Sequence, residues 1–355
     1  MNYKNTLLFI SKCLTINHES KNKKEIEHQL LNTDINWDFV VKVSTTHYVF
    51  PALYCNLKRA NLLNYVPNEL VNYMIHISDL NRNRNQQIIT QAHEINNILL
   101  KHKIIPIFLK GTANLLEGLY NDITERMVGD IDFLVEDKHY KTTIKILQEH
   151  GYSEHNPIHK NTPIEHRHYP KMVKSGKIAS IEVHKAMVSH EKFNEFDYEF
   201  VSKSFRKINN FHLLSAQNSL VLTCINKQLN DKGYQFKSIA LRNAYDLFLQ
   251  SKKTDSLQAI KQLNHADVLN NFLYSSYLLF NKPKSITYQN SENANKFVEK
   301  QWYWLENPEK YGRFKKITQF KILLKHRAGI IIKSLYNKKF RNYTVSKIKS
   351  MFLTR

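Results

Sequence analysis

The chain has 355 residues, 42% of them hydrophobic, which is enough for packed cores and more than one typical domain requires. A net charge of +21 favours anionic partners such as nucleotides, nucleic acid or an anionic lipid surface, although a lysine-rich coding bias alone gives the same balance. Cys13, Cys55 and Cys224 lie far apart, which argues against a disulfide framework and a zinc ribbon, and no apolar run approaches the roughly 20 residues a spanning helix needs. Met1 to Ile16 shows no small-residue cleavage site, so the expected location is the cytoplasm, at most peripheral to a membrane.

Residues 1–102 read as helical. Pro51 and Pro67 stand where proline opens helices, and Leu70, Met74, Ile77, Ile88, Ala92, Ile95 and Leu99 recur at helical spacing, with a break conceivable at 81–85. Ile104 to Leu109 reads as a buried strand entering a Lys-Gly-Thr turn, with Pro106 at its beginning or edge. A helix over 113–120, a strand over 131–135 and a helix over 138–150 closed by Gly151 follow. Segments 168–174 and 177–185 flank Ser175-Gly176 as a hairpin, and beyond Met187 the pattern returns to helix. From Lys282 the chain is basic, with Trp302, Trp304 and short apolar groups, a helical or partly disordered tail suited to RNA or anionic lipid.

The chemistry concentrates between Lys110 and His184. In a strand, Asp130 and Asp132 project to one side while Ile131 and Phe133 anchor the other. Two adjacent carboxylates are costly to ionise without a cation, and Glu182 can join them from another strand. Hard oxygen ligands suit Mg²⁺ or Mn²⁺, and two ions could be held. Relief of carboxylate repulsion predicts that Asp130→Asn or Asp132→Asn leaves folding unchanged or slightly improved without metal. Gly111 and Thr112 can present backbone N–H groups and a hydroxyl to phosphate. Lys110 and Arg126 can neutralise a triphosphate; alternatively Lys110 is a solvated strand end and Arg126 pairs with Glu125 or Asp122 at the surface. His184 shares the side of Glu182 and contacts substrate or is a structural histidine. His159, His166 and His168 lack a third ligand at metal spacing.

Leu109-Lys110-Gly111-Thr112-Ala113, Tyr120, Arg126-Met127-Val128-Gly129-Asp130-Ile131-Asp132-Phe133-Leu134-Val135 and Glu182-Val183-His184 resemble the nucleotidyltransferase superfamily, specifically a poorly characterised bacterial branch. Trp37-Asp38, Pro51-Ala52-Leu53-Tyr54 and Arg242-Asn243-Ala244-Tyr245-Asp246-Leu247 resemble its helical flanks. Where the branch tends to place a histidine-bearing helix, Asn226 or Lys227 stands instead. The resemblance implies an α+β fold: a small mixed-sheet core over 103–190, helical regions over 1–102 and 191–281, and the basic tail 282–355. It also implies transfer of a nucleoside monophosphate from an NTP, with ATP the expected donor, to an unidentified acceptor. Asp130, Asp132 and Glu182 would be the catalytic metal-binding set, Glu182 as third ligand or general base, and Lys110, Gly111, Thr112 and Arg126 would bind the nucleotide. A D-x-D glycosyltransferase, or a non-catalytic basic protein that binds nucleic acid or membrane, are the alternatives.

Overall fold

Residues 2–155, 166–188 and 193–353 are described by the structure, a computed structural model. Helix α1 (Tyr3–Thr15) starts at Asn2, whose side chain accepts the Asn5 N–H. Helix α2 (Ser20–Asn32) follows, then α3 (Trp37–Thr46), capped by Asn36. Helix α4 (Phe50–Arg59) carries Pro51 in its first turn, where a missing N–H costs nothing. Helix α5 (Asn68–Lys101) runs 34 residues without a break. The conceivable interruption at 81–85 does not occur. Asn81 and Asn85 point inward and donate to the carbonyls of Ile123, Thr124 and Arg126, so their amides tie down a neighbouring loop instead of competing for the helix backbone.

The chain then builds a sheet. Its elements are β1 (Ile107–Phe108), α6 (Lys110–Leu116), β2 (Asp130–Leu134), α7 (Asp137–Glu149), β3 (Ser153–Glu154), β4 (Met172–Val173), β5 (Ser180–His184), α8 (Tyr198–Ser202), β6 (Arg206–Ile208) and β7 (Phe211–Leu213). The seven strands lie in the order β3-β4-β5-β2-β1-β7-β6. Strand β2 is parallel to β5 and antiparallel to β1, so the sheet is mixed. The β6–β7 hairpin departs from the all-helical expectation beyond Met187. Asn209 and Asn210 both adopt positive φ, 46° and 68°, and join the strands in the two-residue turn that asparagine tolerates.

The remaining helices are α9 (Ala216–Ile225), α10 (Gly233–Phe236), α11 (Leu241–Ser251), α12 (Ser256–Lys261), α13 (Ala266–Leu279), α14 (Glu292–Glu306), α15 (Pro308–Tyr336) and α16 (Lys338–Leu353). A π-helical turn over Asn226–Asn230 extends α9. One apolar core joins the N-terminal helices to α9, α11 and α13. A second lies between the sheet and helices α5 and α7, where Phe108 meets Phe133 and Phe211 at centroid distances of 5.8 and 5.2 Å. Truncating such a ring to alanine costs about 3–5 kcal/mol. By contrast α15 buries no residue. Its Ile317, Phe320, Leu324, Ile331 and Leu335 form an exposed stripe at helical spacing.

Candidate active site

Pairing of β2 with β5 sets the site. Asp130 lies opposite Ser180, Asp132 opposite Glu182 and Leu134 opposite His184. Because the strands are parallel and in register, alternation brings Asp130, Asp132, Glu182 and His184 to one face. Ile131, Phe133, Ile181 and Val183 go to the other and are fully buried. The apolar face therefore fixes the register, and a one-residue slip would drive carboxylates into the core.

The carboxylates are compensated by cations at close range. Lys110 Nζ donates to Asp132 Oδ1 and lies 3.9 Å from Glu182 Oε2. Lys171 Nζ lies 2.7 Å from Asp130 Oδ2 and 3.5 Å from Glu182 Oε1. His184 Nε2 lies 2.8 Å from Asp132 Oδ1 and 3.4 Å from Glu182 Oε2, and His168 Nε2 is 3.9 Å from Glu182 Oε2. Burial alone would raise the pKa of Asp132, but the Lys110 charge and the His184 hydrogen bond hold it well below the carboxylate range. Glu182 is likewise lowered, burial being outweighed chiefly by His184. Lys171 is raised: its bonds to Asp130 and Glu182 outweigh burial. Removing one carboxylate therefore strips a partner from a lysine and does not simply relieve repulsion, which corrects the expectation that Asp130→Asn or Asp132→Asn is neutral or stabilising for the metal-free fold.

Asp132, Glu182 and His184 offer ligand atoms that all lie within 4.8 Å of one another. Asp130 adds a fourth donor, the third oxygen, on the same face, half-buried at the rim. The donor set is rich in hard oxygen and free of thiolate, which fits Mg²⁺ or Mn²⁺, and the flexible lysines can release those oxygens to a divalent ion. His166 and His168 belong to no such group among the described residues, and His159 lies outside them.

The Lys-Gly-Thr segment is the first turn of α6 and not a separate turn before it. Lys110 carries the strained backbone, at φ 55°, while a Cβ on Gly111 would lie 3.1 Å from Val128 Cγ2 and 3.5 Å from the Arg126 guanidinium carbon. Thr112 donates its hydroxyl to the Asp130 carbonyl over 3.0 Å, which pins the start of β2. Arg126 is buried and pairs with neither Glu125 nor Asp122. Its Nε and Nη2 donate to Asp246 at 2.8–3.1 Å and its Nη1 to the Met127 carbonyl at 2.7 Å. Tyr120 also donates to Asp246. Burial works against the Arg126 charge, yet Asp246 raises its pKa above the ordinary arginine value. Arg126 thus shapes the wall of the site with its donors already engaged.

These groups line a cleft of about 270 Å³ between the sheet and the helices α9 and α11, which contribute Thr223, Asn226, Arg242, Asn243 and Asp246. Lys171, Arg167, Arg242 and Asp246 are residues that sequence reasoning missed as parts of the site. Asp246 and Arg242 stood in the quoted flank motif, spaced one helical turn apart, which was the available signal. Asn226 reaches the cleft, whereas Lys227 turns away and donates to Ser238 Oγ over 2.8 Å. Burial lowers the pKa of Lys227 to about 8.

A family model described as uncharacterised nucleotidyltransferase matches residues 33–281, and the chain belongs to that family. No curated protein and no solved structure matches the chain.

Proposed function

We propose that this nucleotidyltransferase moves a nucleoside monophosphate from an NTP, ATP the expected donor, to an acceptor and releases pyrophosphate. The convergence of Asp130, Asp132 and Glu182 on one sheet face carries this reading, together with the family match. Those carboxylates would hold Mg²⁺ or Mn²⁺, which when bound polarises the α-phosphate and favours ionisation of the acceptor. An acceptor oxygen bonds to the α-phosphorus as the bond to the β-phosphate oxygen breaks, and pyrophosphate leaves with that electron pair. Glu182 is placed either to complete the ligand set or to take the acceptor's proton, and His184 orients both carboxylates. Lys110, beside Asp132 and Glu182, can swing from carboxylate to phosphate, while Gly111 and Thr112 keep the floor beneath it close-packed.

Incubating the purified protein with each α-labelled NTP, Mg²⁺ and host lysate tests the reading. Label should enter one class of acceptor and should be lost with Asp132→Asn. A glycosyltransferase would take label only from a nucleotide sugar, and a purely binding protein would be indifferent to both aspartates.

No helix among the described residues is long and apolar enough to cross a membrane. Residues 307–355 nevertheless hold fourteen Lys or Arg against Glu309 alone, beside the exposed apolar stripe of α15. Cations with exposed Ile, Leu and Phe suit an anionic bilayer surface at the cytoplasmic side better than RNA, which rewards the charge but not the stripe. Flotation with anionic vesicles should be lost on deleting 307–355. RNA binding without vesicle binding would reject this localisation.

A further inference from the structure

Arg242 lies at the seam between two cavities. One is the carboxylate cleft; the other is a chamber of about 620 Å³. Among the described residues its guanidinium has no ion-pair partner, and its buried Nε makes no hydrogen bond. Its contact is with the face of Tyr48, 4.9 Å from guanidinium carbon to ring centroid. Asp246, the nearest acid on its own helix, is already bound to Arg126 and Tyr120. A half-buried arginine left beside another guanidinium is costly unless an anion joins it. Asp231 and Asn243, at the same seam, also make no side-chain hydrogen bond among the described residues.

The chamber beyond the seam is aromatic and cationic. Trp304 stacks on Tyr311 and Phe314 at centroid distances of 5.9 and 4.8 Å, and its buried Nε1 has no hydrogen-bond partner. Lys315 and Lys237 supply charge at the wall. Flat aromatic faces, a polar seam and an arginine that Asp246 and Asp231 favour only at a distance, with its Nε unbonded, together match a ring that carries hydroxyls and an anionic group. Much of this wall, Tyr3 on one side and Gln301 to Lys315 on the other, falls outside the family match over 33–281. A donor site common to the family must be built within the match. Most of the chamber's lining, Arg242 included, lies within the match, and the aromatic wall from Gln301 to Lys315 is what this chain adds to it.

We propose that this chamber is the acceptor site and that it takes a small sugar phosphate, with the phosphate on Arg242 and the ring against Trp304. The assignment rests on the nucleotidyltransferase reading for the word acceptor, but its test is a binding measurement. Calorimetry on the full-length protein, with Mg²⁺ and a non-hydrolysable ATP analogue present, would use ribose 5-phosphate and glucose 6-phosphate as probes, against ribose, glucose and inorganic phosphate. At least one sugar phosphate should bind at least tenfold more tightly than its components. Arg242→Gln should weaken it at least tenfold, Trp304→Leu about fivefold and Lys315→Gln, on a helix that buries nothing, about threefold, each with an unchanged circular dichroism spectrum. In Trp304→Leu and Lys315→Gln, which lie outside the carboxylate cleft, affinity for the ATP analogue should stay within twofold. Absence of sugar phosphate binding, binding indifferent to all three substitutions, or an equal loss of nucleotide affinity in those two variants would overturn the assignment, the last by giving the chamber to the nucleotide. Retained sugar phosphate binding with no nucleotide binding would instead sink the transferase reading.

Discussion

Arg126–Asp246 and Lys110–Asp132 are ion pairs on the wall of one cleft, but the first is closed and the second is open to exchange. Arg126 presents a rigid fork, spends it on both oxygens of Asp246 and on a backbone carbonyl, and is sealed by Tyr120. Lys110 and Lys171 present single ammonium groups on flexible stems, and Lys171 is 47% exposed. Arginine's planar geometry fixes a wall, whereas lysine can leave a carboxylate when a better cation arrives. The difference teaches which charges to assign to architecture and which to the proposed chemistry: carboxylates locked in guanidinium forks could not be handed to a metal ion, whereas those facing lysines could.

The sharpest way to break this comparison is Asp132→Asn. Transfer should fall at least about a thousandfold, because ligand removal takes away both Lewis-acid and orienting effects. Urea denaturation without metal should also show a loss of about 1–3 kcal/mol, since Lys110 and His184 lose the charge of the oxygen they face and the neighbouring oxygen becomes an amide donor. Transfer within tenfold of wild type would end the exchangeable-site account.

Asp246→Ala attacks the closed pair and should cost about 3–5 kcal/mol of stability by leaving Arg126 buried without a counter-charge. Substituting a structural pair should lower the urea midpoint far more than Asp132→Asn does. Equal losses would erase the distinction.

His47 extends the closed class to a titrating group. Its Nδ1 accepts the Leu241 N–H at 3.2 Å and its Nε2 faces the Tyr3 hydroxyl at 2.8 Å, while burial pushes its pKa down to about 4. The unfolded chain binds a proton near pH 6.5 that the folded chain refuses until about pH 4. Stability is thus held above pH 6.5 and declines between those values, by about 1–3 kcal/mol. Midpoints measured from pH 7 to 4 should follow that slope, and His47→Gln should reduce it, leaving the part due to His18, whose pKa burial also lowers to about 4.

The smallest effect belongs to Lys171→Met. Removing an exposed competitor should shift stability by less than about 0.5 kcal/mol and tighten Mg²⁺ binding about two- to fivefold by calorimetry. Weaker Mg²⁺ binding would mean that Lys171 supports the site instead of competing for it.

How much of this was legible follows the range of each interaction. Asp130, Asp132, Glu182 and His184 share a face because of strand alternation, a local rule that two short segments display unaided. The apolar residues between them state which face is buried. Asp246 and Lys171 reach the cleft only through tertiary packing, and nothing within the Arg126 segment says that its partner lies on α11. The β6–β7 hairpin was hidden by strands of three residues and an Asn-Asn turn without glycine. Gly111 and Thr112 were visible as residues, but their packing under Val128 and bonding to the Asp130 carbonyl depend on where β2 begins.

The most direct test of metal-dependent nucleotidyl transfer is a paired labelling reaction with α- and γ-labelled ATP, Mg²⁺ and host lysate, in wild type and in Asp132→Asn. The account predicts that α-label enters an acceptor, that γ-label leaves as pyrophosphate, and that both signals vanish with the substitution or with chelator. Transfer of γ-label to the acceptor, or α-label transfer that survives Asp132→Asn, would contradict it.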